Sequence, residues 1–282
     1  MKFFECKDYA TSLKFQLKQA FNNLEGIQPK LAIFRFDNGE SQDTTIYIRQ
    51  IQKLCNELGV ALDLYAMTDV VETIKILSRL NNDRSVHGIM CMQPMDQYFS
   101  PDEVSAIKVM ISPSKDIDCI NDYNISKIAM GSSGYFYPAT PLGIAFLLAQ
   151  FGIEVAGKNI VVVGRSLTVG KPMAWMMTNC NATVTLCHSQ TTDLAAHTKN
   201  ADIIITCAGT PNPITGDMIK DDVIIIDARI NVNEEGKICG DCNFESMMDM
   251  EDVIATPIPN GIGAITTVTL MQNLYNAYTE NF

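Results

Sequence analysis

The stretch Ile160-Val161-Val162-Val163-Gly164-Arg165-Ser166-Leu167-Thr168-Val169-Gly170-Lys171-Pro172 runs from four aliphatic residues through two glycines into a helix-forming segment. A buried strand that turns on glycine into a helix is suited to anions. Gly164 lets the backbone pass close to a pyrophosphate, Gly170 permits tight packing at the helix entry, and the helix's first N–H groups and dipole favour negative charge. The spacing is not G-x-G-x-x-G, so a plain glycine-rich turn stays open as a reading of these residues alone. One strand later, Cys187-His188-Ser189-Gln190-Thr191 falls where a doubly wound sheet meets the adenosine ribose. An acid there would accept from a 2′-hydroxyl and select NAD. None is present. Arg165, Ser166, His188 and Ser189 supply donors for a 2′-phosphate instead, so NADP is the expected cofactor, with NAD left open. The competing reading has His188 capping its strand and the Ser/Thr cluster N-capping the next helix.

Other reactive side chains carry less. Cys239-Gly240-Asp241-Cys242 is a CxxC without a second pair or suitably spaced histidines, so no metal site is expected. Met173, Met176 and Met177 recur at helical spacing and read as core filler. His87 precedes a buried strand and His197 lies in a polar helix, each without an acid or nucleophile nearby in sequence. By itself Tyr47 is an ordinary amphipathic-helix residue, and the Asp116/Asp118 pair a loop or capping device.

Taken together, these motifs resemble the bifunctional methylenetetrahydrofolate dehydrogenase/cyclohydrolase family over nearly the whole chain. The carriers are Lys115-Asp116-Ile117-Asp118 followed by Asn124, Pro138-Ala139-Thr140-Pro141-Leu142-Gly143, Gly164-Arg165-Ser166 with Val169-Gly170-Lys171-Pro172, and Cys187-His188-Ser189. Ala208-Gly209-Thr210-Pro211, Gly240-Asp241 and Pro257-Ile258-Pro259-Asn260-Gly261-Ile262-Gly263 complete the set. The resemblance implies a folate-binding catalytic domain, 1–138, and a Rossmann-like NAD(P) domain, 139–282, whose C-terminal helix returns to the first. It implies hydride transfer from 5,10-methylenetetrahydrofolate to NADP, then hydrolysis of the methenyl product to 10-formyltetrahydrofolate, in the one-carbon metabolism that serves purine biosynthesis. By the same resemblance Tyr47 and Asp118 are the catalytic and folate-binding pair, Tyr47 stacking on the folate and Asp118 accepting from pterin N–H groups. Pro257 and Gly261 also contact substrate. Gly164, Arg165, Ser166, Gly170, His188, Ser189, Ile230 and Thr266 contact the cofactor, and the protein is a homodimer.

The chain departs from the family pattern at instructive places. The family places a lysine four residues after the tyrosine, one helical turn on, where its ammonium assists proton movement; here that residue is Ile51. Lys53, six residues from Tyr47, is about 240° around a helix at ~100° per residue and faces elsewhere. Gln50 shares the tyrosine's face, but a neutral amide cannot replace an ammonium. The family glutamine two residues before a proline is Met92 here, with Gln93 one residue displaced, which on a strand turns it to the other face unless a bulge intervenes. Cys119 and Asn260 stand where the family has glycines, Asn243 where it has an acid and Ala264 where it has a proline. The expectation is a dehydrogenase with weak or lost cyclohydrolase activity. A silent folate- or dinucleotide-binding relative, and an NAD(P) enzyme for another small metabolite, are the alternatives.

Positioning these residues requires a parallel α/β scaffold. Leu31–Phe36, Val60–Tyr65 and Val86–Met92 read as strands alternating with helices over Thr44–Leu58, Val70–Leu80 and Pro101–Ile111. After the polar, turn-rich 121–134, strands at Asn159–Val163, Thr183–Cys187, Asp202–Thr206 and Val223–Asp227 alternate with helices at Pro141–Phe151 and Lys171–Asn179, before a last helix, Ile265–Tyr278. With 282 residues the chain has room for roughly two domains, and 47% hydrophobic with 19% charged residues excludes disorder. The formal charge of −11 opposes a nucleic-acid partner, and no aliphatic run approaches the ~20 residues that cross a bilayer. Charges in Met1–Asp8 and nine scattered cysteines point to a reduced, cytoplasmic protein.

Overall fold

Local signals set the elements. Ser41 caps the helix that carries Tyr47 by accepting from the Thr44 N–H at 3.2 Å, and Gly59, at φ 71°, ends it in the left-handed conformation glycine tolerates. Its apolar residues Ile48, Ile51, Leu54, Cys55 and Leu58 recur at three- and four-residue spacing and form one buried stripe. Ser100 and Glu103 form a reciprocal capping box with Pro101 at the helix entry.

The computed structural model describes residues 1–211, 213–232 and 236–281. In chain order its elements are β1 (Lys2–Phe3), α1 (Cys6–Asn22), β2 (Lys30–Arg35), α2 (Gln42–Leu58), β3 (Ala61–Ala66), α3 (Val70–Asn82), β4 (Gly88–Cys91), α4 (Pro101–Met110), α5 (Asp122–Ala129) and α6 (Ala139–Gln150). There follow β5 (Asn159–Val163), α7 (Gly170–Asn179), β6 (Thr183–Cys187), α8 (Leu194–Thr198), β7 (Ile203–Thr206), β8 (Ile224–Asp227), β9 (Asn231–Val232), β10 (Ile238–Cys239), β11 (Ile254–Ala255) and α9 (Ile262–Asn281). The chain divides into two compact units: residues 1–12, 128–132 and 140–266, and residues 13–127, 133–139 and 267–282.

In the unit built mainly from residues 13–127, β3, β2 and β4 pair in parallel in that order. Phe34, Ile89, Leu77 and Ile107 form its core with Met95 and Phe99. The C-terminal helix belongs here as expected: Tyr275 of α9 meets Phe21 of α1 ring to ring at 5.4 Å, and the Tyr278 hydroxyl donates to the Glu25 carbonyl at 2.7 Å. In the other unit β1, β11, β8, β7, β5 and β6 form a six-stranded parallel sheet in that order, buried along β7 and β8 as a sheet covered on both faces requires. This is the doubly wound, Rossmann-like sheet the sequence implies. Met173, Met176 and Met177 are buried, as core filler should be.

The segment 121–134 is more than a run of turns, because it contains α5. Asn121 starts that helix, its side-chain oxygen accepting from the Tyr123 N–H at 2.8 Å while its amide donates to the Lys108 and Ile111 carbonyls. No helix among the described residues is long and apolar enough to cross a membrane.

Candidate functional site

In the smaller-sheet unit, the two aspartates of Lys115-Asp116-Ile117-Asp118 do different work. Asp116 is fully buried and saturated: it accepts from the Ile120 N–H (3.0 Å), the Asn121 N–H (2.9 Å) and the Asn124 amide (3.0 Å). It is the loop device that the pair alone suggests. Lys115 closes the far end of α3, donating to the Leu80 and Asp83 carbonyls. Asp118 is partly exposed, and its carboxylate has no hydrogen-bond partner among the described residues. Burial, and then the charge of Asp116, push its pKa up to about 7. The Tyr47 hydroxyl likewise has no partner among the described residues, and burial followed by the negative charge of Asp118 raises its pKa. The structure thus brings Tyr47 and Asp118 within electrostatic reach, two polar groups at one place without internal partners.

Ile51 lies one turn from Tyr47 on α2 and is 0% exposed. Gln50 and Lys53 are exposed, away from the buried stripe. No cation of α2 therefore occupies the position the family gives to lysine. At the end of β4 the Met92 N–H continues the ladder to the Phe34 carbonyl at 2.9 Å and its side chain is buried. Gln93 lies beyond the strand, with its amide turned back onto the Cys91 carbonyl at 3.3 Å. Cys119 has φ 55°, and its thiol donates to the Phe136 carbonyl at 3.3 Å. The residue that stands for a family glycine adopts the backbone for which glycine is suited.

In the other unit, Gly164 (φ 126°) ends β5 in a space closed by Cys207, whose carbonyl oxygen and Sγ both lie 2.7 Å from where a Cβ would stand. A Cβ on Gly170 would run into the Gly164 carbonyl. This is a backbone cradle with no room for side chains. Its donors differ from the expected ones. The Val169 and Gly170 N–H groups are taken by the Ser166 hydroxyl at 3.2 and 3.3 Å, and Lys171 N–H by the Ser166 carbonyl. The N–H groups without a partner among the described residues belong to the loop itself, Arg165 to Thr168, rather than to the first turn of α7. Ser166 therefore braces the loop at the entry to α7, with its hydroxyl proton still free to donate. Arg165 is exposed and makes no ion pair among the described residues. Open backbone donors, a free guanidinium and glycines with no room for a Cβ fit a dinucleotide's phosphates.

At the end of β6, His188 N–H donates to the Thr191 hydroxyl at 2.8 Å and His188 Nδ1 accepts from the Gln190 N–H at 3.2 Å, which leaves Nε2 as the ring's donor. The Ser/Thr cluster does not cap α8; Asp193 does, accepting from the Ala196 N–H at 3.1 Å. Ser189 is exposed. Ile230 is 57% exposed after β8, with its Cδ1 3.9 Å from a Cβ position on Gly263. Thr266 shares a 3.3 Å contact with Thr140 and donates to the Ile262 carbonyl. Gly261 is buried, and a Cβ there would collide with the Pro257 carbonyl; Asn260 before it has φ 71°, a backbone that asparagine tolerates better than most side chains. Asn243 caps a short helical turn by accepting from the Ser246 N–H, which an acid would do equally well. Sequence reasoning missed Cys207, which makes Gly164 obligatory, and gave no role to Asp241, named there only as a motif residue, whose carboxylate accepts from the Ala208 (2.6 Å) and Gly209 (3.2 Å) N–H groups. The signal was available in the position of both residues next to turn sequences, Cys207 after an aliphatic strand and Asp241 after a glycine.

A parallel sheet that turns on a side-chain-free cradle, in a chain whose second unit holds an unpartnered carboxylate and phenol, defines a two-part α/β enzyme of the NAD(P)-binding class. Residues 138–282 match the tetrahydrofolate dehydrogenase/cyclohydrolase NAD(P)-binding domain, and residues 4–118 match the catalytic domain of the same family. The chain is 38% identical over 274 residues to the bifunctional protein FolD of Caldanaerobacter subterraneus subsp. tengcongensis, covering 96% of this chain and 95% of that protein. To the bifunctional protein FolD of Pelotomaculum thermopropionicum it is 39% identical over 275 residues, 95% and 94% of the two chains. The bifunctional FolD methylenetetrahydrofolate dehydrogenase/cyclohydrolase of Campylobacter jejuni shares its fold with a TM-score of 0.93 at 34% identity, over 100% of both chains. The chain belongs to the tetrahydrofolate dehydrogenase/cyclohydrolase family.

Proposed function

We propose that this enzyme oxidises 5,10-methylenetetrahydrofolate to the 5,10-methenyl compound with NADP as acceptor, and that its hydrolysis of the methenyl product is weak or lost. The observation that carries the second half is Ile51: an aliphatic side chain, 0% exposed, one turn from Tyr47, with Gln50 and Lys53 exposed away from the buried stripe. Hydride transfer needs chiefly that donor and acceptor carbons be held in contact, and bound dinucleotide supplies the electrophilic ring carbon. The chain's own contribution is positioning. The Asp118 carboxylate, without internal donors, is suited to accept from pterin N–H groups, and Tyr47 supplies an aromatic face near it. Hydrolysis of the methenyl carbon needs protons delivered and removed. The aliphatic Ile51 can do neither.

In this reading residues 1–138 carry the folate site and 139–282 the dinucleotide site, a division supported by the family matches that end at 118 and begin at 138. Arg165, Ser166, His188 and Ser189 face the 2′-phosphate, which favours NADP over NAD. Pro257 and Gly261 contact folate, Ile230 and Thr266 the cofactor, and the protein is a cytoplasmic homodimer that serves purine biosynthesis. Met92 in place of a polar residue favours a second reading, a relative that binds folate or dinucleotide without turnover. One assay separates them: NADPH formation and methenyltetrahydrofolate absorbance followed together, with each cofactor supplied separately. The expected result is NADPH formation with the methenyl species decaying at the uncatalysed rate. Rapid catalysed decay overturns the hydrolytic half of the proposal, and binding without any turnover overturns the whole.

A further inference from the structure

Arg229 follows β8 directly, and because β8, β7, β5 and β6 run parallel in that order, their C-terminal ends share one edge of the sheet. Along that edge stand Arg229, then the Cys207–Gly209 turn, then Gly164 and Arg165, then His188. The Arg229 side chain is turned toward the neighbouring strand: its Nη2 and Nε lie 3.1 and 3.3 Å from where a Cβ on Gly209 would stand, so the guanidinium crosses the space that this glycine (φ 72°) leaves open. Its charge is felt at Cys207, where it partly offsets the burial that pushes the thiol up to about 12. Cys207 in turn closes the cradle under Gly164. The arginine therefore stands over the β7 turn and acts electrostatically on the residue that closes the glycine loop.

The guanidinium has neither an ion pair nor a hydrogen bond among the described residues, although two carboxylates lie close in sequence and space. Both are committed elsewhere. Asp227 accepts from the Arg229 and Cys242 N–H groups, and Asp241 from the Ala208 and Gly209 N–H groups and the Asn231 amide. Asp241 thereby removes the backbone donors that the β7 turn would otherwise offer a ligand. The donor left over this turn is the planar fork of Arg229, exposed and suited to a phosphate taken through two N–H groups at once.

We infer that Arg229 is a second phosphate-binding cation of the dinucleotide site, holding the pyrophosphate common to NAD and NADP, while Arg165 serves the 2′-phosphate that only NADP carries. A sheet edge of this kind binds a dinucleotide where the strand order reverses, at β5 and β7. Arg229 reaches that point from the side opposite His188. The inference rests on the dinucleotide reading proposed above.

Calorimetric titration of the full chain with NADP⁺, NADPH and NAD⁺ tests it. Arg229→Gln is expected to weaken all three by about tenfold, equivalent to about 1.4 kcal/mol, with the NADP-to-NAD affinity ratio unchanged. Arg229→Lys should recover part of that loss, and Arg165→Gln should lower the ratio instead. Equal affinities for the unsubstituted and Arg229→Gln proteins overturn the assignment. So does a loss confined to NADP⁺ and NADPH, which would place Arg229 at the 2′-phosphate. Opposite shifts for NADP⁺ and NADPH overturn it too, because they would place the charge at the nicotinamide ring. Failure of the unsubstituted protein to bind any of the three would overturn the dinucleotide reading as well.

Discussion

Replacing Ile51 by lysine tests the chemical reading most directly. The site is closed, at 0% exposure on the buried stripe of α2, so the ammonium enters a position packed for a methyl group. The aliphatic stem keeps much of the isoleucine's packing. The charge is the larger cost: about 3–5 kcal/mol if it stays buried and unpaired, less if it finds a partner. The charge of Asp118 is felt at Tyr47, one turn from residue 51 on α2, and a lysine that reaches this carboxylate gains its partner there. A paired ammonium would bring the carboxyl's pKa back down. A net loss of about 2 kcal/mol is therefore expected, roughly 3–4 °C in Tm for a chain of this size. In return, a correctly placed proton donor is worth ~10²- to 10⁴-fold in rate. Methenyltetrahydrofolate hydrolysis, followed as loss of its absorbance, should rise by at least ~10²-fold while NADPH formation is retained. Gln50→Lys, on the exposed face, should change neither. An Ile51→Lys protein that folds and dehydrogenates but hydrolyses no faster would refute the argument that the missing ammonium limits hydrolysis.

Other expected outcomes follow from the same geometry. Asp118→Asn removes a carboxyl whose pKa in the folded state, about 7, lies above its ordinary value of 3.8. The native protein therefore holds the proton more tightly than the unfolded chain between those values, and stability falls as pH rises through that window. The substitution should raise stability by up to about 4 kcal/mol at pH 8, with little gain near pH 4, while folate affinity drops; thermal melts at both pH values check it. Gly170→Ala sets a Cβ against the Gly164 carbonyl, so NADP binding should fall by at least ~10-fold with the fold retained, as read by titration and circular dichroism. At Cys119, where φ is 55°, glycine should be tolerated within about 1 kcal/mol and valine should cost about 2 kcal/mol or more in denaturant unfolding, because a β-branched side chain suits that backbone least.

Much of this is legible in the sequence. Aliphatic runs at 160–163, 203–205 and 223–226 announced a sheet buried on both faces, and two glycines six residues apart announced the cradle. The parts that escaped share one property: they depend on where backbone groups find partners, and sequence spacing does not fix that. Ser166 reads as a ligand donor, yet its oxygen accepts from two N–H groups of its own loop. Asp116 and Asp118 are identical residues two apart, and only the backbone around Asn121 decides that one is satisfied and the other open. Helix α5 hid in a polar segment because its start depends on an asparagine side chain rather than on apolar periodicity. Cys119 and Asn260 looked like departures of chemistry. Their positive φ values show that both occupy the left-handed backbone region for which glycine is suited.

An acceptor left without internal donors and poised near pH 7 also makes ligand capture a proton-exchange event. Burial holds the Asp118 proton to a higher pH than an ordinary aspartate would keep it, and in the proposed folate site a ring that offers N–H groups to the ionised form displaces that proton into the medium. The heat of folate association then includes the ionisation enthalpy of whichever buffer takes up that proton. Titrations in phosphate and in Tris should differ in heat while agreeing in affinity, and the difference counts the protons that Asp118 gives up.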